Sequence, residues 1–238
     1  MDGNGAGVTG RGVRVAVIDS GVHASHPHIG GVTGGVTIGE HGEDCAYIDT
    51  LGHGTAVMAA IKEKAPEAEY FAVKVFDSEL RASINVIVRA IEWCIDHHID
   101  IVNLSMGTSN AAHAERFREL IARAAQRGTI LVSAREVDGI PVLPGSLPGV
   151  VGVSLDWDCP RGSFSYEGLL LRASGYPRSI PGVPLERNLH GISFAVANMT
   201  GFIARACEDK KNRSYEKIRF ALASEADRIL AVPERQFL

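Results

Sequence analysis

An aspartate, a histidine and a serine stand at three glycine-punctuated points of this chain, and together they could activate a hydroxyl. Asp19 closes the apolar run Val15-Ala16-Val17-Ile18, His53 lies in Gly52-His53-Gly54-Thr55, and Ser193 lies in His190-Gly191-Ile192-Ser193-Phe194-Ala195. A serine hydroxyl is a poor nucleophile until a base takes its proton, and a histidine base needs an acid to hold its tautomer. An Asp ending a strand, a His opening a helix and a Ser opening a helix supply those parts. Taken singly, Asp-Ser-Gly is usually a turn and Gly-His-Gly usually a helix start. The order Asp, His, Ser along the chain is one in which such triads occur.

These residues need elements to position them. Short β-branched runs predict strands over 13–18, 70–75, 99–104, 129–134 and 150–155. Helical spacing predicts helices over 52–64, 84–97, 111–126, 193–208 and 214–224, with Ser83 as a cap and Gly128 as a stop. Strands alternating with helices imply an α/β fold: three α/β/α layers around a mostly parallel sheet. Residues 159–189, rich in Gly, Pro and Ser, read as loops with short strands. The 238 residues suit one large domain over 13–238 after a flexible N-terminal segment over 1–12. In an open sheet, functional groups collect at the carboxyl ends of the strands, where Asp19 falls.

Composition excludes several classes. The net charge is −4 and aromatics make up 6%, so no basic field or stacking array points to nucleic acid. No stretch reaches the roughly 18 apolar residues of a membrane span. No apolar signal core precedes the first strand, and Cys45, Cys94, Cys159 and Cys207 form no CxxC pair. Reduced thiols and a cytoplasmic location are therefore expected, with two disulfides and a secreted chain that has lost a leader as the alternatives. Gly5-Ala6-Gly7-Val8-Thr9-Gly10 spells a dinucleotide fingerprint but precedes a strand instead of following one, so no nucleotide cofactor is expected. Asn198-Met199-Thr200 and Asn212-Arg213-Ser214 match the glycosylation sequon by chance. His23, His26 and His28 lack the Cys or carboxylate partners of a closed zinc site, so no metal is expected.

The three segments resemble the Asp, His and Ser motifs of the subtilisin-like serine proteases, the subtilases, with Ile192 where Thr is usual. Ala65-Pro66 with Ala72-Val73-Lys74-Val75, Asn103-Leu104-Ser105-Met106-Gly107 and Gly162-Ser163-Phe164-Ser165 resemble further landmarks of that family. The likeness runs from about Gly12 to about Ala223. It implies a serine endopeptidase acting on peptides or proteins, with Ser193 as nucleophile, His53 as base and Asp19 as its orienting acid. It implies that Ser105, Met106 and Gly107 pair with substrate backbone as an added strand, and that Ala134 and Glu136 flank the pocket. The calcium sites typical of secreted members are not expected, because the loops after His53 and Phe76 are trimmed.

The chain departs from the family at the oxyanion hole. A gapless reading between Gly128 and Gly139 places Glu136 where the family has Gly and Val137 where it has an Asn amide. Valine has no side-chain donor, and losing one such donor costs roughly 100- to 1,000-fold in rate. The Ser193 N–H remains. Glu136 fills the pocket, selects a basic residue there, or points to solvent. Asn198 replaces a His usual in the following helix. A processing protease is expected. A peptide-binding pseudoprotease and a transpeptidase on the same residues are the alternatives.

Overall fold

The computed structural model describes residues 8–168, 170–208 and 214–230. Gly5, Gly7 and the Asn212 sequon lie outside them. The chain begins its sheet with β1 (Arg14–Asp19), a β-branched strand buried from Val15 to Asp19. There follow β2 (Gly34–Gly39), β3 (Gly42–Asp44), α1 (His53–Lys64), β4 (Glu69–Lys74) and α2 (Ile84–Asp96). Next come β5 (Ile101–Leu104), α3 (Ala114–Arg127), β6 (Ile130–Ala134), β7 (Glu136–Val137), β8 (Ile140–Pro141) and β9 (Val151–Leu155). The last elements are β10 (Phe164–Glu167), β11 (Leu170–Ala173), α4 (Ile192–Ala206) and α5 (Tyr215–Leu230).

Nine strands form one sheet in the order β10-β11-β9-β6-β5-β1-β4-β2-β3. Seven of them run parallel, and the edge strands β3 and β10 are antiparallel. Side chains alternate across β1, so its residues divide between two cores. Val15 and Val17 face the layer of α1 and α4, whereas Ala16 and Ile18 face α2 and α3. The result is the expected three-layer α/β/α sandwich. Strand order reverses at β1, which has β4 on one side and β5 on the other. A crevice opens at such a switch point, outside the carboxyl ends of the strands.

Ser83 caps α2 by accepting from Val86 N, and Gly128 ends α3 with φ 74°, as expected. Three pieces were not anticipated. The β2–β3 hairpin is hidden by its glycines. At Gly35 an added Cβ would lie 2.5 Å from Ala72 O and 2.6 Å from the Tyr47 ring, so glycine marks a close approach there. The β7–β8 hairpin turns through Asp138 and Gly139, both at positive φ. An Asp-Gly pair favours such two-residue turns. The third piece is residues 8–12, expected within a flexible segment. Thr9 N and Gly10 N donate to the Glu208 carboxylate at 2.6 and 2.9 Å, and Gly10 is buried.

Candidate active site

Asp19 ends β1 and is fully buried. Its Oδ1 accepts from Ser20 N at 2.7 Å and from His53 Nδ1 at 2.8 Å. Its Oδ2 has no hydrogen-bond partner among the described residues. His53 is the first residue of α1, with its side chain 14% exposed. Donation from Nδ1 leaves Nε2 of the neutral ring free to accept a proton. The His53 ring rests against Phe194, the residue after Ser193, with centroids 5.8 Å apart.

The helix that carries His53 is held by a carboxylate that sequence reasoning passed over. Asp49 Oδ1 accepts from Ser20 Oγ (2.9 Å), Leu51 N (2.9 Å) and Gly52 N (2.8 Å). Its Oδ2 accepts from Thr55 N (2.9 Å) and Thr55 Oγ1 (2.6 Å). Ser20 Oγ in turn accepts from Gly54 N at 2.9 Å. An anion is thus fixed at the N-terminus of α1, where free N–H groups and the helix dipole favour it. Gly52, the residue before the helix, makes no side-chain cap of its own. The sequence signal was an acidic residue three positions before Gly52. Gly54 needs its missing side chain, because a Cβ there would lie 2.2 Å from Gly21 O.

Ser193 is the second residue of α4, which enters through Gly191. Its hydroxyl donates to Ser105 O at 3.4 Å. The register Ile18↔Leu104 sets Asp19 level with Ser105, so the ends of β1 and β5 and the mouth of α4 converge. From Phe194 to Ala204 α4 is buried throughout, which fixes its first turn by packing. Asn198 is fully buried, which bars a glycan, and its Nδ2 donates to Ser174 O (2.9 Å) and Tyr176 O (3.0 Å).

The expected substrate residues divide. Ser105, Met106 and Gly107 follow β5 beside Ser193, and Ser133 Oγ donates to Met106 O at 3.2 Å. The side of this segment away from Ser193 is filled: a Cβ on Gly107 would meet Val142 at 2.8 Å, and Thr108 pairs with Leu143. Met106 and Gly107 border an apolar cavity of about 350 Å³ lined by Phe76, Ile84, Phe117 and Leu143. Ala134 is buried, with its carbonyl packed against Gly145. Glu136 is half-buried, and its Oε1 accepts from Ser154 Oγ at 3.1 Å. A purely solvated Glu136 is therefore corrected, because the Ser154 hydroxyl holds the carboxylate against β9. Val137 is 41% exposed in the β7–β8 hairpin.

Burial alone lowers the pKa of the His53 imidazole. The hydrogen bond and charge of Asp19, with the charge of Asp49, outweigh burial and raise it above the ordinary value. Asp49 is treated oppositely. Burial resists its charge, but the donors from Thr55, Gly52 and Ser20 hold its carboxyl below the usual range.

A profile described as "Subtilase family" matches residues 10–135. Subtilisin E of Bacillus subtilis (strain 168) is 31% identical over 210 residues, which cover 82% of this chain and 53% of that protein. The Subtilisin of Bacillus pumilus is 30% identical over 210 residues, covering 82% of this chain and 73% of that one. The chain spans about half the length of curated relatives such as Subtilisin E. A solved cold-adapted subtilisin-like serine proteinase superposes with a TM-score of 0.71 over 91% of this chain and 82% of its own, at 20% identity. The fold is therefore that of the subtilisins, and the chain belongs to the subtilase family.

Proposed function

We propose that this protein is a serine endopeptidase that opens peptide bonds through an acyl-enzyme. The observation that carries the reading is the 2.8 Å bond from His53 Nδ1 to the buried Asp19 Oδ1, with the His53 ring against Phe194, the residue that follows Ser193 at the mouth of α4. In this mechanism Ser193 Oγ leaves Ser105 O and forms a bond to the peptide carbonyl carbon as its proton passes to His53 Nε2. Asp19 stabilises the resulting imidazolium. Collapse of the tetrahedral intermediate breaks the C–N bond, and His53 returns the proton to the departing amine. Water, deprotonated by His53, then releases the acid and restores Ser193. The substrate segment ahead of the scissile bond lies along Ser105, Met106 and Gly107 as an added strand. An apolar side chain enters the cavity of Phe76, Ile84 and Phe117.

The oxyanion is held by Ser193 N–H without an amide side chain at 137, which makes the enzyme slow, as a processing role tolerates. A cytoplasmic setting is part of the proposal. The four cysteines lie as free thiols, and Cys45 is exposed, which favours a reducing compartment. The missing amide also favours a second reading, a pseudoprotease that binds peptides without cutting them. A fluorophosphonate probe separates the two. The protease reading expects covalent labelling at Ser193 that is lost in Ser193→Ala and in heat-unfolded protein. Folded protein that stays unlabelled overturns it.

A further inference from the structure

The histidine cluster found no role in the sequence, yet His23, His26 and His28 line a cavity of about 320 Å³ beside the reacting residues. Arg178 adds a permanent cation to this imidazole lining, and its Nη1 donates to His28 O at 3.4 Å. His26 Nδ1 accepts from His28 N at 3.2 Å, so neutral His26 carries its proton on Nε2 as a donor. Burial first, then the charges of Arg178 and His26, hold the His28 imidazole below its ordinary pKa, with the Glu63 carboxylate opposing them. Two carboxylates are near. Asp49 lines the cavity, but both its oxygens are taken by the five donors around α1. Glu63 is engaged by Arg161 and Lys64.

The placement gives this cavity a direction. It is bordered by Gly52, which leads into His53, and by Leu189, four residues before Ser193. The acyl side of a bound peptide runs along Ser105, Met106 and Gly107 toward the apolar cavity, which shares no lining residue with this one. An extended chain passing Ser193 leaves on the opposite flank. We propose that the cavity of His26, His28 and Arg178 is a leaving-side subsite for a peptide carboxylate, either an acidic side chain or a free C-terminus. The proposal rests on the serine-protease reading and names its substrate class.

Binding to Ser193→Ala tests the subsite apart from turnover. Peptides of one acyl-side sequence carry Glu, then Gln, then Lys at each of the first three leaving-side positions, and calorimetry gives their Kd. A parallel set ends there as free acid or amide, which separates side chain from C-terminus. At one position Glu or the free acid binds at least 10-fold tighter than its neutral partner, and Lys binds weakest. Adding Arg178→Gln brings the ratio to about 2-fold, while Arg178→Lys keeps part of it, which separates lost charge from misfolding. Ratios below 2-fold at every position, or a ratio that Arg178→Gln leaves unchanged, overturn the subsite. A Glu preference in a chain whose native Ser193 takes no fluorophosphonate sinks the protease reading while keeping the site.

Discussion

In the proposed mechanism, the acid–base half of the site and its nucleophile half are held by different forces. Asp19, Ser20, Asp49, Thr55 and His53 form a continuous hydrogen-bonded lattice with bonds of 2.6 to 2.9 Å. Ser193 has no comparable lattice. Its hydroxyl makes a 3.4 Å contact to Ser105 O, and its position comes from the buried flanks of α4. Polar networks fix orientation as well as position, whereas packing fixes position and leaves a hydroxyl free to turn. A base must hold one tautomer. A nucleophile must swing from one acceptor to another. Each half has the support its task requires.

Three substitutions probe this contrast. The largest effect is expected for Asp19→Asn, which keeps the shape but favours the wrong His53 tautomer. Its kcat on a peptide substrate falls roughly 10,000-fold while the melting curve stays cooperative. Next is Val137→Asn, in the exposed β7–β8 hairpin, which tests whether position 137 can reach the oxyanion. A restored amide donor raises kcat at least tenfold, since one oxyanion donor is worth roughly 100- to 1,000-fold when well placed. An unchanged kcat would mean that position 137 lies away from the oxyanion or that the main chain already supplies the second donor. The smallest effect on rate belongs to Asp49→Asn, read as a pH profile. The base must be neutral, so activity rises as pH passes through the His53 pKa, which Asp49 helps raise. Removing that charge moves the acid limb to lower pH, with kcat on the plateau changed only a few-fold.

The same pair of groups sets opposite stability trends. His53 has a raised folded pKa, so its protonated form adds stability below the unfolded value near 6.5, and this is lost as pH rises through the folded value. Asp49 has a lowered one, so its contribution is present above the unfolded value near 3.9 and lost as pH falls through the folded value. In Asp49→Asn the acid-side loss is smaller than in the native chain, which thermal melts across pH measure.

The sheet and its helices were legible because Val15, Val17, Ile101 and Val132 belong to short runs bounded by turn residues. Asp19, His53 and Ser193 were legible because glycines isolate them. Asp49 was not, because Asp49-Thr50-Leu51-Gly52 reads as loop chemistry, and its value lies in contacts with Ser20 and Thr55 across the fold. The β2–β3 hairpin escaped because Gly34, Gly35 and Gly39 dilute the β-branched signal. The β7–β8 hairpin was legible in Asp138-Gly139 but was overlooked in favour of a gapless family register. The histidine cluster reads from sequence as a structural segment without metal ligands, and nothing local to it shows a cavity. Arg178, which gives the cavity its character, lies 150 residues beyond His28.

The outermost strand, β3, bears on how this protein behaves at high concentration. A sheet edge offers unpaired amides to any neighbouring chain, and flat apolar edges seed aggregates. Here the edge is three exposed residues long, Gly42-Glu43-Asp44, and two of them are acidic. Two copies approaching edge to edge bring like charges together before a ladder of useful length can form. This edge thus resists strand-to-strand association, in a molecule proposed to hold other extended peptides along a different strand.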